Sequence, residues 1–450
     1  MRSRRRRLVI RILAGLLTVV LVALVGGYLY AKPLLLTGTG YAAHNACAVT
    51  KLAGRAEPSQ DLPPNPLVPY LRGGVDASGG TADSTVLGVL AGQRAWYVPG
   101  YGCVLAAERP RFAEPAAVSA TGNPLAAAAP PSPSSAVTAA LARAFGDDLP
   151  AAEQAALGTR AVVVLRDGQL VAERYAPGFT PTTRQLGWSM AKSVTNLMLG
   201  RLVAQGRVSI TDDHLRPEWT DERAKITVEQ LQRMTSGLRW NEDYDLGTPI
   251  TEMLYLQPDM AGYVAGLPLA HPPGSYQQYS SGSTNLLCAV LRARAGAGPE
   301  LPRAQLFEPL GLASAVWEPD AAGTPVCSSY LWATPRDWAS IGQFALQGGQ
   351  WGGQQLLPGD WMQRSTTVLP GAGEETGYAA GWWANRLPDG TLARPALPAD
   401  AYWAQGHDGQ RVYVVPSARL VVVRLGFSPK VDDERLRAGA LVRDLIALGG

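Results

Sequence analysis

Two β-hairpin signals that lie far apart in the chain constrain its fold more than any other feature. Residues 161–165 and 169–175 are rich in β-branched side chains on either side of a turn at 166–168. Residues 411–415 and 420–425 repeat this pattern around a turn at 416–419, and residues 434–448 have the periodicity of a closing helix. The sequence therefore predicts an α/β (α+β) fold, in which an antiparallel sheet is flanked by helices and carries an inserted helical subdomain.

The composition is that of a globular protein with one large domain and appendages. The chain has 450 residues, of which 46% are hydrophobic and 17% are charged. Six arginines at positions 2, 4, 5, 6, 7 and 11 account for the net charge of +3, since the rest of the chain carries −3. Nothing in this balance indicates a nucleic-acid partner.

A charge-free apolar run at residues 12–30 follows these arginines and is long enough to cross a bilayer core. The arginines predict a cytoplasmic N-terminus, and Tyr28 and Tyr30 lie where an interfacial aromatic belt would be. A cleaved signal peptide is the alternative, but residues 28–31 make a poor cleavage site. We therefore favour an anchor in the cytoplasmic membrane over secretion after signal cleavage. Both place the body of the protein in the periplasm or otherwise outside the cytoplasm.

Changes in composition divide the chain into four predicted segments. Residues 1–31 form the basic tail and transmembrane anchor, and residues 32–112 form a small extracytoplasmic segment rich in Gly and Pro, with a strand-like run at residues 85–90. Residues 113–135 are dense in Ala, Pro and Ser, which is typical of a linker or a long surface loop. The main domain is predicted at residues 136–450.

Four cysteines fit a compartment outside the cytoplasm. Cys47 and Cys103 bracket a segment of their own and are the first candidates for a disulfide. Cys288 and Cys327 are candidates for a second disulfide, or for two small buried residues. There is no Cys-x-x-Cys pair and no His/Cys cluster of the zinc type in the sequence, so it predicts no metal and no other cofactor.

A Ser-x-x-Lys motif, Ser189 to Lys192, precedes an apolar helical pattern at residues 194–203. Residues three apart on a helix share a face, so the Lys192 amine is expected beside the Ser189 hydroxyl. A serine nucleophile needs such a base. By itself the motif is weak, because an isolated match is more often an N-cap serine followed by a surface lysine.

Four further segments change that balance, because they follow the motif in a fixed order. They are residues 234–238 (Met-Thr-Ser-Gly-Leu), 279–281 (Tyr-Ser-Ser), 330–337 (Tyr-Leu-Trp-Ala-Thr-Pro-Arg-Asp) and 406–410 (Gly-His-Asp-Gly-Gln). Together with Ser189 and Lys192 they resemble the serine β-lactamase-like hydrolases, which include class C β-lactamases and penicillin-binding proteins. Residues 237–244 and 402–410 are most similar to the 6-aminohexanoate-dimer hydrolase branch. The resemblance covers residues 136–450 and implies a β-lactamase/transpeptidase-like fold.

The resemblance also implies a role for each motif residue. Ser189 would attack a carbonyl carbon, and Lys192 would act as its base once burial lowers the pKa of the amine. Tyr279 would shuttle a proton to the leaving group, if Lys192 lowers the pKa of its phenol. Ser281 stands where β-lactam-cleaving relatives have an asparagine, which removes an amide from the substrate site.

The predicted oxyanion hole consists of the backbone N–H groups of Ser189 and Gln410. His407 and Gly409 belong to the segment that replaces the Lys-Thr-Gly motif of penicillin-binding members. Gly409 would allow close approach of substrate, whereas His407 is only partly charged near neutrality. Trp240 and Tyr244 could line the substrate pocket or pack in the core. The changes at 281 and 407 argue against a potent β-lactamase.

The sequence thus predicts a serine hydrolase that cleaves an amide or ester bond of a small substrate through an acyl-enzyme on Ser189. A D-alanyl carboxypeptidase, another penicillin-binding protein or a weak β-lactamase is the alternative, and a non-catalytic binding protein on the same fold is a third. The sequence names neither the substrate nor the oligomeric state.

Overall fold

The two predicted hairpins lie side by side in one antiparallel sheet in a computed structural model of the chain, which describes residues 2–374 and 376–449. The strands in the described residues are β1 Leu71–Val75, β2 Thr81–Val86, β3 Leu90–Val98, β4 Gly102–Leu105, β5 Thr159–Arg166, β6 Gln169–Tyr175, β7 Gln185–Leu186, β8 Tyr276–Gln277, β9 Val316–Trp317, β10 Leu331–Ala333, β11 Gln350–Trp351, β12 Gln354–Gln355, β13 Ala372–Gly373, β14 Trp383–Ala384, β15 Tyr402–Gly406, β16 Gln410–Val415 and β17 Leu420–Gly426. The α-helices are α1 Arg2–Lys51, α2 Ser135–Ala144, α3 Ala151–Leu157, α4 Met190–Ala204, α5 Val228–Gln232, α6 Pro249–Leu256, α7 Met260–Ala265, α8 Ser281–Ala295, α9 Glu308–Leu310, α10 Pro335–Leu346, α11 Trp361–Thr366 and α12 Ala438–Ala447.

The main sheet has the strand order β14-β15-β16-β17-β5-β6, so the last hairpin closes against the first. Alternate residues of β5 face opposite sides of this sheet, as the period of a strand requires. Val162 packs with Leu141 of α2 and Leu441 of α12, which cover one face. Val163 packs in the cluster that contains Trp338 of α10 and the helices inserted between the hairpins. This mixed architecture confirms the predicted fold class.

Helix α1 runs without a break through residue 31, where the sequence places the end of the anchor. Its apolar first half is exposed, with Leu8 at 59% and Leu29 at 60% of full accessibility. Its second half is different, because Ala43 and Cys47 are buried against the body of the protein. The part of α1 from residue 6 onwards is long and apolar enough to cross a membrane or to act as a signal sequence.

A small four-stranded sheet, β1 to β4, packs against the second half of α1. The sequence interprets residues 85–90 as one strand-like run, and the structure corrects this interpretation. Leu87 and Gly88 have φ values of 53° and 85°, which turns the chain between β2 and β3. Glycine tolerates this conformation at little cost. The apolar residues at the bend therefore mark a hairpin turn and not a continuous strand.

The 113–135 segment has no helix or strand among its described residues before α2 begins at Ser135. It nevertheless lies on the main domain, since Asn123 donates a hydrogen bond of 3.0 Å to Asp337. Trp351 likewise donates its indole N–H to the carbonyl of Gly122. The division of the chain into four segments stays a prediction.

Both cysteine pairs form disulfides in the structure, Cys47 with Cys103 and Cys288 with Cys327. The first joins α1 to β4 and closes a loop with a sequence separation of 56 residues. A cross-link of this span stabilises the folded state, mainly by reducing the entropy of the unfolded chain.

Removal of the first disulfide is expected to loosen the attachment of α1. We expect the double variant Cys47→Ser/Cys103→Ser to lose about 2–4 kcal/mol in the free energy of unfolding. The measurement is thermal and denaturant unfolding of the full chain beside the parent. Peptide mapping under non-reducing conditions is the control, and it should join the peptides of Cys47 and Cys103 in the parent. Equal stability of parent and variant would contradict the prediction.

Candidate functional site

Ser189 lies on a tight turn that joins β7 to α4. Gly187, before the turn, donates its N–H to the Leu331 carbonyl in β10 at 2.9 Å, and a side chain there would collide with Trp338. Trp188 has a φ of 48°, a strained conformation for a residue with a large side chain. Ser189 is then the N-cap residue of α4, with its hydroxyl free of the capping bond. The turn holds this hydroxyl at the head of the helix.

Lys192 is beside Ser189, as the spacing of the motif predicts. Its Nζ atom lies 2.9 Å from Ser189 Oγ and 2.8 Å from Ser281 Oγ. A third bond, of 3.3 Å, goes to the carbonyl oxygen of Ser328. Only 1% of the side chain is exposed, so it is not the surface lysine of the alternative interpretation.

Burial changes the acidity of this amine. Desolvation disfavours the charged form and lowers the pKa of Lys192 to about 8, although the nearby Glu242 carboxylate opposes the shift. A substantial fraction of the amine is therefore neutral at slightly alkaline pH. A neutral amine within hydrogen-bonding distance of a serine hydroxyl can accept its proton.

Tyr279 lies next to the same pair of residues. The Nζ atom of Lys192 is 4.7 Å from the centroid of the Tyr279 ring. Burial raises the pKa of the Tyr279 phenol well above its usual value, although a hydrogen bond with Ser189 acts in the opposite direction. The sequence-based expectation that Lys192 lowers the pKa of Tyr279 therefore does not hold, because burial raises this pKa. The resting phenol is protonated, which suits it to donate a proton.

Glu242 is a residue of the site that sequence reasoning missed as a functional group. Its carboxylate accepts hydrogen bonds from the backbone N–H of Ser281, at 2.8 Å, and from the Ser281 hydroxyl. One of its oxygens lies 3.9 Å from Lys192 Nζ. The sequence signal was its place in the motif at residues 237–244, but the role depends on a contact across 39 positions of the chain. Glu242 thus links Ser281 electrostatically to the amine.

Ser281 and Trp240, predicted near the substrate, lie behind the reacting groups. Ser281 is fully buried at the start of α8, where its hydroxyl joins Lys192 to Glu242. Trp240 is 6% exposed and donates its indole N–H to Glu242. Ser281 therefore contacts Lys192, whereas Trp240 contacts Glu242 and the core.

The strand edge near Ser189 is formed by the end of β15. A side chain at Gly406 would collide with the carbonyl oxygen of Gly187, at 2.1 Å, so this glycine permits the close packing of the two segments. Strand β14 pairs with β15 only at Tyr402 and Trp403, which leaves the edge of β15 beyond these residues free of β14. The free edge extends to the turn at His407.

Gln410 and Gly409 lie elsewhere than the sequence interpretation places them. Asp408 has a φ of 55° and turns the chain, so that Gln410 begins β16. The Gln410 side chain donates hydrogen bonds to backbone carbonyls, including that of Gly426 at 2.6 Å. Gly409 approaches a buried guanidinium, since Arg424 Nη1 donates to its carbonyl at 2.8 Å. Among the described residues that line the Ser189 cavity, neither of the two is present.

His407 and Tyr244 do lie at the cavity. Their rings stack with centroids 4.4 Å apart, and each ring meets Trp188 edge-on, at 5.7 Å and 6.0 Å respectively. Because Trp188 precedes Ser189 directly, the pair borders the candidate nucleophile. Tyr244 therefore lines open space, in agreement with the first of the two alternatives weighed for it.

The Ser189 hydroxyl opens into a cavity of about 630 Å³, a size suited to a small organic substrate. Its wall is mostly polar and carries three carboxylates. The described lining residues are Ser189, Asn241, Glu242, Asp243, Tyr244, Tyr279, Glu374, Trp383, Gln405, Gly406 and His407. The surplus of acidic groups disfavours an anionic substrate.

The second disulfide joins two segments that contact Lys192 and its helix. Cys288 lies in α8, about two turns beyond Ser281. Cys327 precedes Ser328, whose carbonyl accepts a hydrogen bond from Lys192. The carbonyl of Cys327 also accepts a hydrogen bond of 3.0 Å from Thr195 in α4. The disulfide thus ties together the segments that hold the lysine.

Comparisons with known proteins agree with this geometry. A family model described as Beta-lactamase matches residues 138–445. The chain is 25% identical over 320 residues to a 6-aminohexanoate-dimer hydrolase of Paenarthrobacter ureafaciens, covering 63% of this chain and 77% of that protein. It is 30% identical over 193 residues to a D-aminopeptidase of Brucella anthropi, covering 39% of this chain and 36% of that protein. A penicillin-binding protein homolog from Caulobacter crescentus has a similar fold, with a TM-score of 0.55, 18% identity and coverage of 70% of this chain and 98% of that one.

Proposed function

The chain belongs to the beta-lactamase family of serine hydrolases, which act on amide and ester bonds, and we propose that it cleaves such a bond in a small substrate through an acyl-enzyme on Ser189. The observation that carries this proposal is the distance of 2.9 Å between Ser189 Oγ and the Nζ atom of a buried lysine with a pKa lowered to about 8. The resemblance to this family predicted from the motifs is confirmed.

Acylation begins with attack by Ser189 Oγ on the substrate carbonyl carbon. Lys192 takes the hydroxyl proton as the Oγ–C bond forms, and the carbonyl oxygen becomes an oxyanion. The backbone N–H of Ser189 at the head of α4 is one donor for this oxyanion. The second donor is proposed as the N–H of His407 at the free edge of β15, in place of that of Gln410, because His407 lines the Ser189 cavity.

Collapse of the tetrahedral intermediate breaks the bond to the leaving amine or alcohol. Tyr279 donates a proton to that leaving group, and Lys192 returns its proton to Tyr279. A water molecule then attacks the acyl-enzyme by the same route in reverse, which releases the acid and restores Ser189. The raised pKa of Tyr279 supports this assignment, since the phenol carries its proton in the resting enzyme.

The nature of the cavity favours 6-aminohexanoate-dimer-hydrolase-like chemistry. The three carboxylates Glu242, Asp243 and Glu374 line it, and they attract the ammonium end of a zwitterionic ω-amino-acid dimer but repel a β-lactam with net negative charge. His407 and Ser281 stand where β-lactam-cleaving relatives have a lysine and an asparagine. Similarity to a 6-aminohexanoate-dimer hydrolase supports the same preference.

A second candidate is cleavage of D-configured peptides, as in a D-alanyl carboxypeptidase or another penicillin-binding protein. Similarity to a D-aminopeptidase over 193 residues favours it. Weak β-lactamase activity belongs to the same alternative.

The exposed apolar half of α1 supports a proposed location of the enzyme at the outer face of the cytoplasmic membrane, anchored by that helix.

A hydrolysis panel on the full chain tests this proposal. Short acyl esters and linear ω-amino-acid dimers are expected to be cleaved, whereas D-alanyl peptides and a chromogenic cephalosporin are expected to react slowly. A fluorophosphonate should label the protein, and peptide mapping should find the adduct on Ser189. Labelling of a different residue, or none with the native protein, would contradict the proposed mechanism. Faster cleavage of D-alanyl peptides than of the other substrates would favour the second candidate.

The pH dependence of turnover follows from the pKa of Lys192. Because the base must be neutral, kcat/KM is expected to rise with pH through about 8. Glu242 raises this pKa, so the variant Glu242→Gln should move the acidic limb of the profile to lower pH, with a lower maximal rate because Ser281 loses its charged partner. The measurement is kcat/KM against pH. As the control, Glu153→Gln removes an exposed charge on α3 and should leave the acidic limb of the profile where it is. If the acidic limb does not move in Glu242→Gln, the assignment of Lys192 as the base is contradicted.

A further inference from the structure

A second cavity lies on the other side of the Tyr244–His407 pair from Ser189. Its volume is about 660 Å³, similar to that of the first, and both rings line both cavities. Its remaining walls come from α1, from the proline-rich segment at residues 63–67 with Tyr70, from the chain around Leu246, from α6, and from Asp408 and residues 429–430. The mechanism proposed above leaves this space unused.

The lining of this second cavity is mainly apolar. Leu34 of α1, Leu67 and Leu246 contribute aliphatic side chains, and Pro63, Pro64 and Pro66 add ring surfaces. Leu67 is buried in a cluster with its aliphatic neighbours, so the wall that it forms is fixed by core packing. A cavity with such walls binds apolar groups, because their removal from water is favourable.

One wall of the cavity is the direct continuation of the exposed apolar helix. Leu34 lies four residues beyond Tyr30, where the charge-free run ends, which is about 6 Å at the helical rise. Leu34 is itself 43% exposed, so the cavity is open near this end. If the apolar half of α1 spans a bilayer, this end of the cavity lies at the surface of that bilayer.

The same helix also reaches the catalytic turn. Tyr41 of α1 lines the second cavity, and its ring meets Trp188 edge-on at 6.1 Å. It stacks on Tyr255 with ring centroids 5.1 Å apart, which fixes its position. The second cavity is thus walled by one continuous helix from the membrane-facing end to the residue before Ser189.

We propose that the second cavity holds the apolar acyl chain of a membrane amphiphile, whose amide or ester carbonyl is presented to Ser189 past the Tyr244–His407 pair. The polar, acid-lined cavity at Ser189 then receives the polar head of the same molecule, with a neutral or amine-bearing group. This inference rests on the proposed function and names the substrate class of that same site. It also accounts for the position of α1, because this helix forms one wall of the second cavity.

The first test is acyl-chain selectivity of the full chain in phosphatidylcholine nanodiscs. We expect kcat/KM for p-nitrophenyl hexanoate to exceed that for the acetate on the order of 100-fold, because each buried CH₂ contributes roughly threefold to fourfold. The variant Leu34→Trp fills the membrane end of the cavity and should reduce the hexanoate-to-acetate ratio at least about tenfold. Loss of folded protein cancels in this ratio. Leu29→Trp, on the same helix and outside the cavity, should keep the parent ratio.

The second test measures binding without turnover. We expect the uncharged methyl ester of 11-(dansylamino)undecanoic acid to bind the Ser189→Ala protein in the same nanodiscs, and the added change Leu34→Trp to weaken this binding at least about tenfold. If no ester is cleaved and fluorophosphonate does not react, the proposed function fails. The binding measurement then still shows whether the second cavity binds an acyl chain. A flat chain-length profile with binding that is insensitive to Leu34→Trp would overturn the inference while leaving a serine hydrolase in place.

Discussion

The variant Ser189→Ala is expected to lose activity by a factor on the order of 10⁴ to 10⁶ in kcat, together with all labelling by fluorophosphonate. Alanine cannot form the bond to the carbonyl carbon on which both half-reactions depend. The fold should persist, because Lys192 keeps its hydrogen bonds to Ser281 and to the Ser328 carbonyl. The measurements are steady-state hydrolysis of a cleaved ester and the thermal midpoint of unfolding.

Ser193→Ala provides the matched control for this experiment. Ser193 lies four residues further along α4, is buried, and donates its hydroxyl to the Gly381 carbonyl instead of meeting Lys192. Its loss is expected to cost about 1 kcal/mol of stability while labelling continues. Activity in Ser189→Ala close to that of the parent, or equal loss in both variants, would show that Ser189 is not the nucleophile.

The variant Lys192→Met is expected to change activity and stability in opposite directions. Methionine has a similar length but no amine to accept the Ser189 proton, so kcat/KM should fall about 10²-fold to 10⁴-fold. The pKa of Lys192 is lowered from 10.5 to about 8 in the folded state, so below pH 8 the buried charge opposes folding. Removing it should therefore raise the free energy of unfolding at pH 7 by at most roughly 3 kcal/mol, since the lost hydrogen bonds to Ser281 and the Ser328 carbonyl offset part of the gain.

The pH dependence of this stability gain separates it from ordinary repacking. The penalty for the charged amine is fully present below the folded pKa of about 8 and disappears as the pH approaches the unfolded value of 10.5. The gain of Lys192→Met over the parent should accordingly shrink between pH 7 and pH 10, as measured by denaturant unfolding. Lys225→Met, at an exposed lysine paired with Glu222, should change neither activity nor stability appreciably. A pH-independent difference in stability would contradict a buried, perturbed amine.

Features that depend on neighbouring residues could be predicted from the sequence. The hairpins at β5–β6 and β16–β17 follow from alternating apolar residues and turn residues within a few positions of each other. The contact between Ser189 and Lys192 follows from helical geometry alone, since residues three apart share a face. The apolar first half of α1 could also be predicted, because an uncharged run of this length is typical of a membrane span or a signal sequence.

Features that depend on a turn angle were harder to predict. The left-handed residue Asp408 decides that His407 lies at the Ser189 cavity and that Gln410 enters β16 instead. A shift of a few positions around such a turn reverses which groups face the substrate, and no pattern in the sequence marks it. The same limit explains the bend at Leu87, where apolar residues suggested a continuous strand.

The sequence by itself determined the two hairpins, the contact between Ser189 and Lys192, and the apolar run near the N-terminus, because each depends on residues that are close together in the chain. Only the tertiary structure decided that Glu242 reaches Ser281, that burial lowers the pKa of Lys192, and that the second half of α1 walls a cavity beside the catalytic turn. These contacts join residues far apart in the chain, so they depend on how the helices and sheet pack and not on local periodicity.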